Sequence, residues 1–247
     1  MNQLAFIQPI WPAPKNIHAI QTTRQGGFSQ APYDGFNLAM HVGDNALTVA
    51  KNRQLLNPFL PTEPVWVNQV HGIDVLDAAK STCLENADAS FSRQKNVVCV
   101  TMTADCLPLL LCDKQGAIVA AVHAGWRGLC EGVIEATIKK MAVPSADILV
   151  WLGPAIGPES FKVGEDVRSA FIENSPQAEQ AFIDKGHGKW LCDLYQLAKQ
   201  RLQTIGVTQI YGASVNENFC TFKQSDQFFS YRRDQTTGRM ASLIWLT

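Results

Sequence analysis

One cysteine and two histidines stand beside apolar runs in a pattern that could do chemistry. His71 and His123 each follow an apolar run that ends in valine, each precedes a small residue, and Cys106 lies between them in the chain. One thiolate and two neutral imidazoles would fill three positions of a tetrahedral zinc site and leave the fourth open, as in catalytic zinc sites. Water bound at such a position becomes acidic enough to react near neutral pH. The sequence therefore predicts an open metal site on His71, Cys106 and His123.

The same residues permit other interpretations. Copper also accepts two histidines and one cysteine, but a blue-copper site requires a long axial methionine, and the sequence places neither Met40 nor Met102 there. Without a metal, Cys106 could act as a nucleophile with His123 as its base. The ligand spacing matches no zinc-finger pattern, so buried side chains without a function are a further interpretation. Among the metals, zinc is preferred.

A predicted β-hairpin brings Cys106 and His123 together. Two apolar runs flank the turn Asp113–Gly116, which is typical of a hairpin with a short loop. With a loop of two or four residues, paired positions add up to 229, and Cys106 lies directly opposite His123. Opposed residues hold their Cβ atoms about 4.5–5.5 Å apart, close enough to share one ion. A three-residue loop would break this register, and Pro108 suits an edge strand or a bulge.

Two arginines stand where they could meet an anion. Arg24 precedes the pair Gly26-Gly27, which can cradle an anion, but no Lys-Ser or Lys-Thr follows, so the phosphate motif is weak. Arg127 lies near the start of a predicted helix, where a cation opposes the helix dipole. Its position indicates a neighbouring anion such as phosphate, or a carboxylate, against the alternative of a solvated surface arginine.

Periodicity and capping residues predict the elements that must position these side chains. Strands are expected where apolar runs alternate or stay continuous, and helices where apolar residues recur every three or four positions after a capping residue. The predicted strands cover residues 17–23, 65–71, 97–103, 148–152, 210–211, 228–234 and 240–245. The predicted helices cover residues 45–56, 125–141, 165–173 and 191–205, and Gly206 ends the last of them.

Length and composition narrow the class of protein. The 247 residues could form one large α/β-type domain or two small ones, with a sizeable core, and a single domain spanning 1–247 is favoured. A net charge of −1 gives no electrostatic case for nucleic acid or membrane binding, so a small-molecule substrate is expected. No basic leader and no apolar run of about 18 residues are present, which favours a cytoplasmic protein. Seven cysteines without a CxxC pair indicate mostly buried, reduced thiols.

Several blocks of the sequence together resemble the YfiH-type family. Its members have been called polyphenol oxidases or laccases, and later purine nucleoside phosphorylases. The resemblance spans nearly the whole chain, and His123-Ala-Gly-Trp-Arg-Gly128 is the most specific block. The others are Arg24–Gly27, Gln69–Gly72, Thr103–Cys106, Gly153–Pro158, Phe229–Arg233 and Gly238-Arg239.

The resemblance implies an α+β sandwich of mixed sheets and helices, similar to the catalytic domain of cytotoxic necrotizing factors. It implies zinc or copper on His71, Cys106 and His123. It also implies phosphorolysis of adenosine, inosine and methylthioadenosine, with adenosine deamination as a second activity. The partners would then be a purine nucleoside and phosphate.

Positions within the family-like blocks suggest the residues that hold these substrates. Arg24 and Arg127, together with Asn37 and His41, are the candidates for binding phosphate or nucleoside. Taken alone, His41 would be interpreted as a packed loop histidine.

Three other functions remain as alternatives. A copper-dependent polyphenol oxidase is weakened because laccase chemistry needs several coppers and more histidines than the five present. A metal-free Cys-His hydrolase or amidase acting on cell-wall precursors would use Cys106 as its nucleophile. A binding module without catalysis would bind nucleoside tightly and turn nothing over.

Overall fold

A computed structural model describes residues 4–81, 84–213 and 219–247. Within them the chain forms thirteen strands and six α-helices. The strands are β1 (Phe6–Ile7), β2 (Ile17–Thr22), β3 (Val75–Asp77), β4 (Ala89–Ser92), β5 (Cys99–Thr103), β6 (Leu107–Asp113), β7 (Val119–Ala124), β8 (Ile148–Leu152), β9 (Lys162–Gly164), β10 (Phe182–Asp184), β11 (Lys189–Cys192), β12 (Gln209–Gly212) and β13 (Met240–Leu246). The helices are α1 (Ala46–Gln54), α2 (Trp126–Glu131), α3 (Val133–Met141), α4 (Glu165–Asn174), α5 (Leu194–Thr204) and α6 (Tyr231–Asp234). Short 3₁₀ turns cover Asn57–Phe59, Ser145–Asp147 and Pro176–Ala181.

The strands form three sheets. A four-stranded antiparallel sheet has the order β1-β2-β13-β5, and a three-stranded antiparallel sheet has the order β10-β11-β9. The largest sheet has the order β12-β8-β6-β7-β4-β3. Its two outer pairs are parallel and its inner pairs antiparallel. Mixed sheets accompanied by helices confirm the predicted α+β class.

The largest sheet is buried on both faces. Leu109 and Leu111 of β6 pack with the helices, whereas Leu110 and Cys112 pack against the four-stranded sheet. Successive strand residues point to opposite faces, so a strand between two cores must be apolar at every position. The sequence of β6 is therefore a continuous apolar run, without the alternation of apolar and polar residues that marks a strand with one exposed face.

The hairpin is confirmed, but its predicted register is wrong. Leu107 pairs with Ala124 and Pro108 pairs with His123, so paired positions add up to 231 instead of 229. The difference arises at the turn, where the Asp113 carboxylate accepts hydrogen bonds from the backbone N–H groups of Ala117 and Ile118. The centre of the turn therefore lies one residue further along the chain, between Gln115 and Gly116. The shift by two positions leaves every side chain on its predicted face.

Pro108 lies near the start of β6, an inner strand and not an edge strand. Its carbonyl accepts a hydrogen bond from the N–H of Gly153. The strand thus accommodates proline at its beginning, where a missing donor is tolerated.

Two predicted strands are wrong. Residues 65–71 form only isolated bridges, because the N–H groups of Val70 and His71 donate to the Asp88 carboxylate and not to a neighbouring strand. Residues 228–234 end in helix α6, because the Ser230 hydroxyl caps it by accepting from the N–H of Arg233.

Two predicted helices need correction. The helix predicted over 125–141 is two helices, because Gly132 adopts a left-handed conformation with φ of 106° between α2 and α3. The helix predicted from residue 191 begins at Leu194, since Leu191 and Cys192 belong to β11 and the Asp193 side chain caps α5.

The other predicted elements are observed, with ends shifted by a few residues. Strands lie over 17–22, 99–103, 148–152, 209–212 and 240–246, and helices over 46–54 and 165–174. All six described cysteines are free, as expected, and Cys83 lies outside the described residues. In the part of the chain that the structure describes, no helix has the length and apolarity needed to cross a membrane.

Candidate metal centre and its cavity

The side chains of His71, Cys106 and His123 converge at one end of the largest sheet. One ligand atom from each lies within 4.8 Å of those of the other two. Cys106 Sγ is 3.9 Å from His71 Nε2, and the two imidazole rings meet edge to face with centroids 4.8 Å apart. His71 is exposed, Cys106 is half-buried and His123 is buried. The cluster therefore opens to solvent on the His71 side.

Each ligand stands on a different kind of backbone. His123 belongs to the buried strand β7, and Cys106 immediately precedes β6. His71 lies in a loop with φ of 62°, and Asp105 next to Cys106 has φ of 101°, both left-handed conformations that cost energy in residues other than glycine. The two strained backbones turn their ligands toward the fixed imidazole of His123.

Gly125 makes room for the three ligands. The hairpin register brings Cys106 level with Gly125, two residues beyond His123 on the same face of the sheet. A Cβ atom on Gly125 would lie 2.7 Å from His71 Cδ2 and 3.2 Å from Cys106 Sγ. Any side chain at this position would therefore occupy the space in which the ligands meet.

Asp88, just before β4, fixes two of the ligands at once. Its Oδ1 accepts hydrogen bonds from His123 Nδ1 at 2.7 Å and from the His71 backbone N–H at 2.9 Å. Its Oδ2 accepts from the N–H of Gly72 at 2.7 Å and of Val70 at 3.1 Å. With Nδ1 engaged, His123 turns Nε2 toward the cavity, an arrangement typical of metal-binding histidines.

Burial and neighbouring charges act against each other on these groups. Burial alone would raise the pKa of the Cys106 thiol, but His123 and His71 outweigh it and hold that pKa below its ordinary value. Burial would lower the pKa of His123, but Cys106 and Asp88 outweigh it and raise that pKa. Without a metal, Cys106 and His123 thus form a thiolate and imidazolium pair.

The donor set and its geometry fit a zinc ion. In a tetrahedral site Zn–S is about 2.3 Å and Zn–N about 2.0–2.1 Å, which puts neighbouring donors roughly 3.3–3.6 Å apart. The observed separations are longer: Cys106 Sγ lies 3.9 Å from His71 Nε2, and the three donor atoms lie within 4.8 Å of one another. Small rotations of the side chains would bring these atoms to the distances that zinc requires. The set offers one sulfur and two nitrogens, and the side facing the cavity stays free for water or substrate.

A cavity of about 440 Å³ surrounds the cluster. Besides the three ligands it is lined by polar side chains and by the end of β5. The lining residues other than the ligands are His41, Gln69, Met102, Thr103, Ala104, Arg127, Tyr231 and Arg239. The structure thus brings His41 and Arg127, two of the predicted substrate residues, to the predicted metal site.

Two guanidinium groups supply positive charge to this cavity. Arg127 lies over the Trp126 ring at 4.7 Å, and Arg239 lies over the Tyr231 ring at 5.7 Å and donates to the carbonyl of Gly238. Neither arginine forms an ion pair within residues 4–81, 84–213 and 219–247. Burial lowers the pKa of Arg239 and outweighs the opposing effect of the nearby Cys106 and Asp105 charges.

His41 enters the cavity as a neutral imidazole. Burial lowers its pKa, and the nearby charges of Arg239 and Arg53 lower it further. A neutral imidazole can both donate and accept a hydrogen bond, which suits contact with a sugar hydroxyl or a purine edge.

The other two predicted substrate residues lie elsewhere. Arg24 lines a separate surface pocket, pairs with Asp34 at 3.0 Å and stacks over Phe229. Asn37 is fully buried, and its amide bonds Asp44 and the backbone of Ala39 and Arg239. The structure therefore does not bring either side chain to the cavity, and both are engaged in holding loops together.

Sequence reasoning missed four residues that shape the site. Asp88 was one of many acidic residues, without a motif to distinguish it. Gln69 ties the His71 loop to β5 by bonding both the N–H and the carbonyl of Met102. Gln69, Tyr231 and Arg239 lie in family-like blocks, so their positions could have indicated them, although their chemistry alone did not.

Comparison with known proteins comes from both sequence and structure. Residues 18–247 match the family described as multi-copper polyphenol oxidoreductase laccase. The chain is 52% identical over 244 residues to the purine nucleoside phosphorylase YfiH of Escherichia coli, with 98% of each chain covered. It is 49% identical over 243 residues to a purine nucleoside phosphorylase of Pseudomonas aeruginosa, also with 98% of each covered.

Solved structures agree with these relatives. A Neisseria meningitidis protein superposes with a TM-score of 0.93 at 48% identity and 98% coverage of both chains. YlmD from Geobacillus stearothermophilus gives a TM-score of 0.87 at 28% identity, with 99% of this chain and 98% of that one covered. By sequence and by fold, the chain belongs to the laccase-like family that includes the YfiH proteins.

Proposed function

We propose that this protein is a metal-dependent purine nucleoside phosphorylase that cleaves adenosine, inosine and methylthioadenosine, with adenosine deamination as a second activity. The observation that carries the proposal is one cavity that holds both the His71, Cys106 and His123 cluster and the guanidinium groups of Arg127 and Arg239, which form no ion pair among the described residues. The names of the related proteins support the same reaction class.

Phosphorolysis places clear demands on the cavity. A phosphate oxygen attacks the anomeric carbon of the ribose, the glycosidic C–N bond breaks, and the purine leaves with the bonding electrons and takes up a proton. Arg127 and Arg239 would neutralise the phosphate and orient its attacking oxygen. His41 and Tyr231 offer hydrogen bonds to the sugar or the base from the same walls.

Zinc would be held by His71 Nε2, Cys106 Sγ and His123 Nε2. When bound there, zinc supplies a water molecule of lowered pKa, the nucleophile that deamination of adenosine needs. Asp88 keeps His123 in the tautomer that leaves Nε2 free, and Gly125 keeps the space open. The thiolate form of Cys106, favoured by its two histidine neighbours, is the form that binds metal.

The direct test is product analysis with inosine and phosphate. Zinc-loaded protein is expected to release hypoxanthine and ribose 1-phosphate only when phosphate is present, and to convert adenosine to inosine without it. Cys106→Ser and His71→Ala should lose both activities, while a variant of an exposed residue outside the cavity, such as Lys80→Ala, should retain them. Hypoxanthine release that does not depend on phosphate would show a hydrolase instead.

A metal-free Cys-His hydrolase is the second candidate, and one observation favours it. Asp88, His123 and Cys106 form a chain of carboxylate, imidazole and thiolate, which is also the arrangement of an activated cysteine nucleophile. Such an enzyme would keep its activity after complete removal of metal and lose it in Cys106→Ser. Loss on chelation with recovery on adding zinc would exclude this mechanism.

Phenol oxidation is less well supported than the phosphorylase or the Cys-His hydrolase. Multi-copper chemistry needs several metal sites. Among the residues that the structure describes, only one group of histidine, cysteine and acidic side chains could hold a metal.

A further inference from the structure

A second depression, here called the basic groove, adjoins the metal cavity and shares Arg127 with it. It has a volume of about 540 Å³ and is lined by Arg127, Lys162, Lys189 and Arg232, with Asp166 as its acidic residue. The boundary between the two depressions is built from two dipeptides. Trp126-Arg127 opens α2, and Tyr231-Arg232 opens α6, with Tyr231 facing the metal cavity and Arg232 the groove.

The lysines of the groove are placed on one face of the three-stranded sheet. Leu191 pairs with Lys162 and Lys189 pairs with Gly164, so the two lysine side chains are diagonal neighbours on that face. Both are exposed, and neither forms an ion pair among the described residues. Neighbouring like charges without a counter-ion are unfavourable, so this face gains from an added anion.

Nearby carboxylates do not neutralise the groove. Glu165 is occupied by Arg168 at 2.8 Å and by the indole N–H of Trp190 at 2.5 Å. Asp105 accepts from the Thr221 hydroxyl and from the backbone N–H of Arg232, both at 2.6 Å. Four cations thus face a single acidic lining residue, Asp166, in a chain whose overall charge is −1.

The two arginines each lie over an aromatic ring at the walls of the groove. Arg232 lies over the Phe161 ring at 5.1 Å and donates from Nη1 to the Lys162 carbonyl at 2.6 Å. Arg127 lies over the Trp126 ring at 4.7 Å. Stacked guanidinium groups lose little freedom on binding, and their remaining N–H donors match the oxygens of a phosphoryl group.

We propose that the basic groove binds a phosphoryl group, so that the protein accepts a phosphorylated nucleoside whose base and sugar occupy the metal cavity. Arg127 would then contact the ligand at the junction, and Lys162, Lys189 and Arg232 would surround the phosphoryl oxygens. Free inorganic phosphate presents the same chemistry and is the other source of the group. This inference concerns binding and goes beyond the phosphorolysis proposed above.

Calorimetric titration of the zinc-loaded full chain tests the proposal. The ligands are adenosine, adenosine 5′-diphosphate and inorganic phosphate, at low ionic strength and without magnesium. The groove variant is Lys162→Ala/Lys189→Ala, and the matched control is Lys139→Ala/Lys140→Ala, which removes two exposed lysines of α3 outside the groove. Zinc content and circular dichroism are measured for each protein, so that misfolding or metal loss is recognised.

The diphosphate is expected to bind the wild-type protein about tenfold or more tightly than adenosine, with an advantage that falls as salt rises. The groove variant should bind the diphosphate about five- to tenfold more weakly than the wild-type protein, because each exposed charge contributes modestly. The control variant should bind it as tightly as the wild-type protein does. Equal binding of adenosine and its diphosphate, or an unaltered groove variant, overturns the proposal.

Titration with inorganic phosphate distinguishes the two sources of the phosphoryl group, free phosphate and a phosphate ester. If inorganic phosphate alone binds in a lysine-dependent way and competes with the diphosphate, the groove serves free phosphate. If only the diphosphate shows lysine dependence, the groove serves a phosphate ester. Both results support a phosphoryl site, and neither requires turnover, so a failure to cleave inosine leaves the outcome of the titration intact.

Discussion

The Asp88 carboxylate accepts a hydrogen bond from His123 Nδ1 at 2.7 Å. The same oxygen accepts a bond at 2.9 Å from the backbone N–H of His71. One buried carboxylate therefore sets the ring orientation of one predicted metal ligand and the backbone position of another. Both ligands depend on its charge and on its two acceptor oxygens.

Asp88→Asn is expected to weaken zinc binding by about 10- to 100-fold, the usual cost of losing such a partner. The amide keeps one acceptor but turns an NH₂ group toward N–H donors of His71 or Gly72, which breaks bonds on one side. Zinc affinity is measured by competition with a chromophoric chelator. Asp74→Asn, an exposed acid in the same segment, serves as the control, and equal affinity in both variants would remove Asp88 from the site.

Gly125→Ala should abolish high-affinity metal binding while the chain still folds. The added methyl would lie 2.7 Å from His71 Cδ2, so the imidazole must move away from Cys106 and His123. The control is Gly72→Ala, whose Cβ would meet Asp88 and Val70 at ordinary contacts of 3.6 Å. Metal analysis after dialysis decides the matter, and full zinc occupancy in Gly125→Ala would contradict the assignment.

Cys106 should be more reactive than Cys99 and Cys112 in the metal-free protein. Burial raises the pKa of Cys99 and Cys112 to about 12, whereas the histidines around Cys106 hold its pKa below the ordinary value. Because the thiolate is the nucleophile, iodoacetamide near neutral pH should label Cys106 before those two cysteines. Mass spectrometry of peptides follows the labelling.

Zinc should protect Cys106 from the same reagent. Peptide mapping with and without zinc provides the comparison, and the labelling of any other cysteine serves as the internal control. Equal labelling of Cys106 in both samples would show that its sulfur is not a ligand.

Arg127→Ala and Arg239→Ala should each raise the KM for phosphate in inosine cleavage by about 10- to 100-fold, the range for losing a hydrogen bond to a charged group. Both side chains line the metal cavity without a carboxylate partner among the described residues. Arg24→Ala is the matched control, because Arg24 lies in another pocket and pairs with Asp34. Steady-state kinetics at varied phosphate give the answer. If the phosphate dependence of Arg127→Ala is unchanged, this residue has another role.

The predicted hairpin register was wrong by two positions, but an even shift keeps Cys106 and His123 on the same face of the sheet. The sequence indicated which face of each strand holds Cys106 and His123, since an even shift preserves the face. It did not indicate the shift itself, because that depends on the hydrogen bonds that the backbone N–H groups of Ala117 and Ile118 donate to the Asp113 carboxylate. The local apolar pattern could therefore place Cys106 and His123 on one face, but the predicted direct pairing of the two was wrong.

The residues that sequence reasoning missed depend on contacts far along the chain. Asp88 is linked to the loop of residues 70–72 and to β7, and no spacing rule connects those segments. The same long-range bonds turned the apparent strand 65–71 into a loop. Gly132 divides the helix predicted over 125–141 by its left-handed backbone, which the helical spacing of the apolar residues did not indicate.

The separation of the three ligands along the chain ties metal loading to folding. His71 and Cys106 are 35 residues apart, and the unfolded chain does not hold them in one cluster. A metal that binds the native protein alone stabilises it by about 2.7 kcal/mol when its free concentration is 100 times Kd. The thermal midpoint of this protein should then report its metal content, so that a preparation stripped during purification is expected to unfold at a lower temperature than the metal-loaded protein.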